Sequence, residues 1–167
     1  MIKNTNPTSL KRSILRFTFA FSIFLSSVVM SGQSLPDFSG DWKQDATKSD
    51  EFYKDFDIKC TITQTGQNML IKSVYYDKSG KELVTRESTF PLDGKEITDK
   101  DGARKTAKWS ADRKTLVTTD TKNYGGDIVG VTASYSLSEN GQVLTVKTSD
   151  IKPGVRTVTQ VLNKENK

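Results

Sequence analysis

From Ile58 onward the chain alternates apolar and polar residues with a period of two, and nowhere does it offer a helix long enough for a crossover to a parallel neighbour. Ile58, Cys60 and Ile62 alternate with Lys59, Thr61 and Thr63, the pattern of a half-buried strand. Gly66-Gln67-Asn68 turns the chain into Met69 to Tyr76, and Asp77-Lys78-Ser79-Gly80 turns it into Leu83 to Phe90. Leu92-Asp93-Gly94-Lys95 leads to a short strand near Ile97, which Asp99-Lys100-Asp101-Gly102 reverses. Ala103 to Trp109, Thr115 to Thr121, Val129 to Leu137, Val143 to Thr148 and Val155 to Leu162 complete the series, with Lys122 to Asp127 read as a loop or wide bend. Asp, Asn and Gly supply the backbone angles that hairpin turns need. Without a crossover helix a parallel sheet is excluded. Antiparallel strands in sequence order hide their edges by closing on themselves, which predicts an up-and-down barrel of about 8–10 strands.

The amino terminus reads differently. Lys3, Lys11, Arg12 and Arg16 precede an apolar run from Phe17 to Met30, and the small residues Ser31 and Gly32 follow. That layout predicts a secretory signal peptide over 1–32, cleaved before Gln33, and one β-barrel domain over 33–167. The run falls short of the ~20 residues of a membrane span, so no span is expected in the mature chain, which is expected in the periplasm or outside the cell. The leader holds four basic residues and no acid, so the formal +5 of the 167-residue chain falls to about +1 without it. A nucleic-acid partner then lacks an electrostatic basis. Histidine is absent, which removes the commonest general base and metal ligand, and neither catalysis, a metal nor a cofactor is expected. Cys60, the single cysteine, reads as a small buried hydrophobe.

At the head of the domain stands Phe38-Ser39-Gly40-Asp41-Trp42-Lys43. Glycine permits a tight bend at the barrel mouth, and the indole two residues on is large enough to plug its floor. Between Ala46 and Asp57, Ser49 followed by Asp50, Glu51, Phe52, Tyr53 and Phe56 predicts a capped helical turn or two, with Phe52 and Phe56 on one face. The motif at Phe38 to Lys43 resembles the Phe-x-Gly-x-Trp-Lys opening of the lipocalin and fatty-acid-binding-protein superfamily, the calycins. Among these the chain is most similar to small exported bacterial lipocalin-like domains. The resemblance implies a barrel that holds a small hydrophobic or amphipathic ligand, with Gly40 and Trp42 as the barrel-closing motif. It also implies a basic residue over the indole, a role for which Lys164 stands at the right end. The helical hairpin of fatty-acid-binding proteins has no room between Ala46 and Asp57, and Val158 stands where their last strand keeps a ligand-binding tyrosine.

The candidate ligand-binding residues are Arg86, Arg156, Lys72, Tyr76, Phe90, Trp109 and Tyr135. Arg86 shares its parity with Val84, Ser88 and Phe90, Lys72 with Leu70, Val74 and Tyr76, and Arg156 with Val158 and Leu162. A charge in a dry core costs several kcal/mol unless paired, so these faces meet either solvent or a wet lumen. Converging in a lumen, Arg86 and Arg156 would suit a carboxylate or phosphate. The aromatics read as core or as ligand-stacking surface. The expected function is an exported, non-enzymatic binding protein. The alternative is a structural or protein-interaction domain whose barrel is filled by its own side chains.

Overall fold

The computed structural model describes residues 34–152 and 156–165, so the expected leader over 1–32 lies outside the described residues. Ten strands follow one another: β1 (Gly40–Gln44), β2 (Asp57–Gln64), β3 (Asn68–Tyr76), β4 (Glu82–Pro91), β5 (Ile97–Thr98), β6 (Arg104–Trp109), β7 (Thr115–Tyr124), β8 (Asp127–Leu137), β9 (Val143–Asp150) and β10 (Val158–Lys164). They form one antiparallel sheet in the order β4-β3-β2-β1-β10-β9-β8-β7-β6-β5. Every neighbour is a sequence neighbour except one pair: β10 returns to β1, with Lys164 opposite Trp42. On its other side Trp42 faces Cys60 of β2. No ladder joins β4 to β5 or β6 among the described residues, although β4 and β6 lie close. The result is the expected all-β barrel, nearly closed, with one seam.

The period of two decides what fills it. Trp42, Cys60, Ile62, Met69, Ile71, Phe90, Ala107, Leu116, Ala133, Tyr135, Leu144, Val146 and Leu162 point inward and are buried together with Phe38 of the lead-in. Each large aliphatic or aromatic member contributes roughly 1.5–3 kcal/mol by leaving water. Cys60 takes its expected place in this cluster, and burial pushes its thiol pKa up.

The hairpin turns repeat one device. Asp77, Asp93, Asp99, Asp112 and Asn140 each accept, through Oδ1, the backbone N–H two residues on, at 2.8–3.1 Å. Hydrogen bonds hold the four aspartates below the usual carboxylate range, chiefly from the Ser79 hydroxyl, the Lys95 amide, Lys105 and the Ser110 hydroxyl respectively. An aspartate so depressed adds stability above its unfolded pKa of 3.8, and that stability is lost as pH falls through the folded value. Urea unfolding is therefore expected at a clearly lower midpoint near pH ~3 than near pH ~6; equal midpoints would show that these turns add nothing.

Two expectations need correction. Lys122 to Asp127 is no loose link: β7 and β8 run on until Tyr124 pairs with Asp127. Gly125 and Gly126 have φ of 62° and 104°, the positive values a two-residue hairpin turn demands, so the ladder extends to its tip. Between β1 and β2 the helical turn is a single 3-10 turn, Glu51–Tyr53, with no side-chain cap. Ser49 instead accepts the Val161 amide and donates to the Asp45 carbonyl, tying the segment to β10. Tyr53 is the buried residue and Phe52 lies in solvent, because one short turn presents one side chain inward.

Candidate ligand site at the open end of the barrel

One end of the barrel is sealed. Trp42 is fully buried and its Nε1–H donates to the Phe38 carbonyl at 2.9 Å. Phe38 stacks on Trp109 with ring centres 5.9 Å apart and meets Tyr135 edge-on at 6.2 Å. Lys164 places its ammonium 5.2 Å from the centre of the Trp42 ring, as the resemblance implied. A Cβ on Gly40 would stand 2.8 Å from Cε of that lysine, so glycine leaves room for its stem. Such a cation–ring contact adds roughly 0.5–1 kcal/mol where exposed.

Toward the other end the inward positions turn polar. On β3 and β4 they are Ser73, Tyr75, Ser88, Arg86 and Val84, read from the pairs Ile71↔Ser88, Ser73↔Arg86 and Tyr75↔Val84. Arg86 sets its guanidinium carbon 5.6 Å from the centre of the Tyr75 ring. Across the seam, β6 and β7 contribute Lys105 and Asp120, which pair directly. The buried Lys105 ammonium lies 2.9 Å from Asp99 and 3.7 Å from Asp120. The nearer carboxyl, Asp99, is held low mainly by that lysine, whereas burial pushes Asp120 up. Tyr53 leans into this end from the 3-10 turn, and burial raises its pKa and that of Tyr75. At this end Val84 and Val131, both of inward parity, remain 41% and 38% exposed, and Val129, 37% exposed, follows on the β7–β8 hairpin where it extends past its last pairs with β6 and β9. The buried apolar side chains therefore gather in the closed half, while the inward positions toward the other end are polar or partly exposed.

The sequence-derived candidates scatter across this frame. Arg86 faces the open lumen. Phe90, Trp109 and Tyr135 point inward but belong to the packed end, where burial drives the Tyr135 pKa far above its usual value. Lys72 and Tyr76 lie on the outer face. The β2–β3 register puts Ile71 and Ser73 beside the buried Ile62 and Cys60, so the opposite parity looks outward. Arg156 precedes β10, is exposed, and spends its guanidinium on the Asp50 carboxylate rather than joining Arg86. Sequence reasoning misses Lys105, Asp120 and the lumen position of Tyr75. A signal exists in the shared parity of Lys105, Ala107 and Trp109, which sets a charge at an inward position of a strand.

The lumen groups can do three things together. Arg86 offers a charged fork for an anionic or polar head, Tyr75 a ring face, and the valines an apolar rim. Among the described residues no group of three or more acidic or cysteine side chains converges as metal ligands, and no helix is long and apolar enough to cross a membrane.

No protein-family model and no curated protein matches the chain. Among solved structures it is similar to one titled "REP1-NXSQ fatty acid transporter", with a TM-score of 0.54 at 12% identity, over 78% of this chain and 98% of that one. At that identity the likeness speaks for the fold alone, in keeping with the ten-strand antiparallel meander.

Proposed function

We propose that this chain is an exported, non-enzymatic binding protein that holds a small hydrophobic or amphipathic ligand in the open half of its barrel. The observation that carries the reading is the exposure of Val84 and Val131, apolar side chains of inward parity that stay partly in solvent. Arg86, beside the Tyr75 ring, supplies the contact for an anionic head, and the apolar rim takes the tail. The fold neighbour is titled a fatty acid transporter, which supports a ligand of that general chemistry. Export rests on the basic, apolar and small-residue order of segment 1–32, and mature protein recovered from its host is expected to begin at Gln33.

The test uses delipidated protein and cis-parinaric acid, whose fluorescence rises in a dry pocket. Saturable binding is expected, and Arg86→Ala is expected to weaken it about tenfold or more, the worth of a charge-assisted contact. Lys72→Ala, on the outer face, is expected to leave binding unchanged. Absence of binding, together with a bare mass in native mass spectrometry of protein from its own host, would sink the proposal in favour of a protein-interaction module.

A further inference from the structure

The open half of the barrel holds, besides Arg86, a charge of opposite sign that its own residues leave uncompensated. Lys105, Asp99 and Asp120 meet where β6 and β7 form the wall, and the trio carries one negative charge in excess. Asp99 takes the Lys105 ammonium at 2.9 Å, within hydrogen-bond reach, so the lysine is spent mainly there. Asp120 stands 3.7 Å from it, too far for a short charge-assisted bond, and meets no other cation among the described residues. Lys122, on the same face of β7, turns its ammonium to the Tyr124 ring at 5.4 Å instead. Parity aims Asp120 inward. It pairs with Lys105 on one side and Val131 on the other, and Leu116 and Thr118 of the same parity are buried. Burial pushes its carboxyl pKa up, as expected of a carboxylate short of partners.

Arg86 presents the converse. Its guanidinium lies over the Tyr75 ring, with no carboxylate at ion-pair distance among the described residues. Its strand, β4, lies close to β6 across the seam, and β7 is one strand further on, about 4.8 Å away. The two charges therefore flank one stretch of lumen without neutralising each other. Each has a valine beside it, Val84 two residues before Arg86 and Val131 opposite Asp120. Asp150, exposed at the end of β9 and also paired with Val131, adds to the negative side.

We infer that the lumen selects an amphiphile with a zwitterionic head, its anionic group on Arg86 and its ammonium on Asp120, the chain running out past Val84 and Val131. This rests on the lumen being the ligand site. A simple anion satisfies Arg86 but is repelled by the trio, and a simple cation meets the reverse. Only a head of both signs neutralises both walls.

Isothermal titration calorimetry of delipidated protein tests this with three probes of equal chain length, kept below their micelle thresholds. Lauroyl-lysophosphatidylethanolamine carries both charges. Lauroyl-lysophosphatidylglycerol keeps the phosphodiester and replaces the ammonium by an uncharged group, and dodecylamine is a cation alone. The zwitterion is expected to bind about tenfold more tightly than either, the worth of one charge-assisted contact. Asp120→Asn should bring the two lysolipids to equal affinity, whereas Arg86→Gln should weaken both. The wild-type comparison needs no variant, so it decides even if Asp120→Asn fails to fold. Equal or tighter binding of the lysophosphatidylglycerol would overturn the zwitterion preference and leave the lumen site standing. A preference that survives Asp120→Asn would overturn it too. Failure of all three probes and of cis-parinaric acid would overturn the lumen site itself, and this inference with it.

Discussion

Trp42→Ala is expected to lower the free energy of unfolding by about 3–5 kcal/mol, the cost of a large aromatic lost from a packed core. The indole is fully buried, and three separate supports meet on it. Its N–H holds the Phe38 carbonyl, Lys164 covers its face, and its backbone stands between β2 and β10. Truncation opens a cavity where the first and last strands join, and orphans the Phe38 carbonyl as well. Trp42→Phe retains most of the volume and should cost less, about 1–3 kcal/mol for the lost hydrogen bond. Denaturant unfolding followed by circular dichroism measures both. A loss below about 1 kcal/mol for the alanine variant, the size of an ordinary surface change, would show that the floor stands without its plug.

Lys105→Met should have the second largest effect. The ammonium is buried on the inner wall, and removing it leaves the partly buried Asp120 without a counter-charge. Stripping one partner from a fully buried pair costs about 3–5 kcal/mol, but Asp120 keeps 29% of its side-chain exposure, so about 2–3 kcal/mol is expected. The pH dependence carries the diagnosis. Asp120 already binds its proton more tightly in the folded state than in the unfolded, and losing the lysine strengthens that bias. A carboxyl with a raised folded pKa costs stability once pH rises through it, so acidification restores what the variant lost. The gap between wild type and Lys105→Met should therefore narrow between neutral pH and the carboxylate range. Adding Asp120→Asn to the variant should recover much of the difference at neutral pH. A gap independent of pH would assign the lysine a packing role through its stem alone.

The fold was legible because its information is local. Alternation in Ile58–Cys60–Ile62 and in Val129–Val131–Ala133–Tyr135 fixes inward parity, and the aspartate turns fix where each ladder reverses. Even the meeting of Lys164 with Trp42 follows from counting an even number of alternating strands. The ligand site was less legible because parity alone does not say which of two faces is the inner one. Arg86 and Lys72 stand in equally good alternation, and only pairing with the buried Ile62 and Cys60 sends Lys72 outward. Height along the barrel is equally invisible. Phe90, Trp109 and Tyr135 have the right parity, yet they sit at the packed end because the registers place them beside Met69, Leu116 and Val146. Arg156 was drawn away by Asp50, a partner more than a hundred residues distant that no local pattern announces.

The pairing of β1 with β10 also governs the order of events during synthesis. The sheet can grow hairpin by hairpin as the chain emerges, but β1 keeps one naked edge until residues 158–164 leave the ribosome. Joining segments so far apart in sequence carries a large loop-closure entropy and makes for slow folding. Until β10 pairs with β1 the sheet is therefore an open ribbon whose first strand offers an unpaired edge, a form that a chaperone can grip.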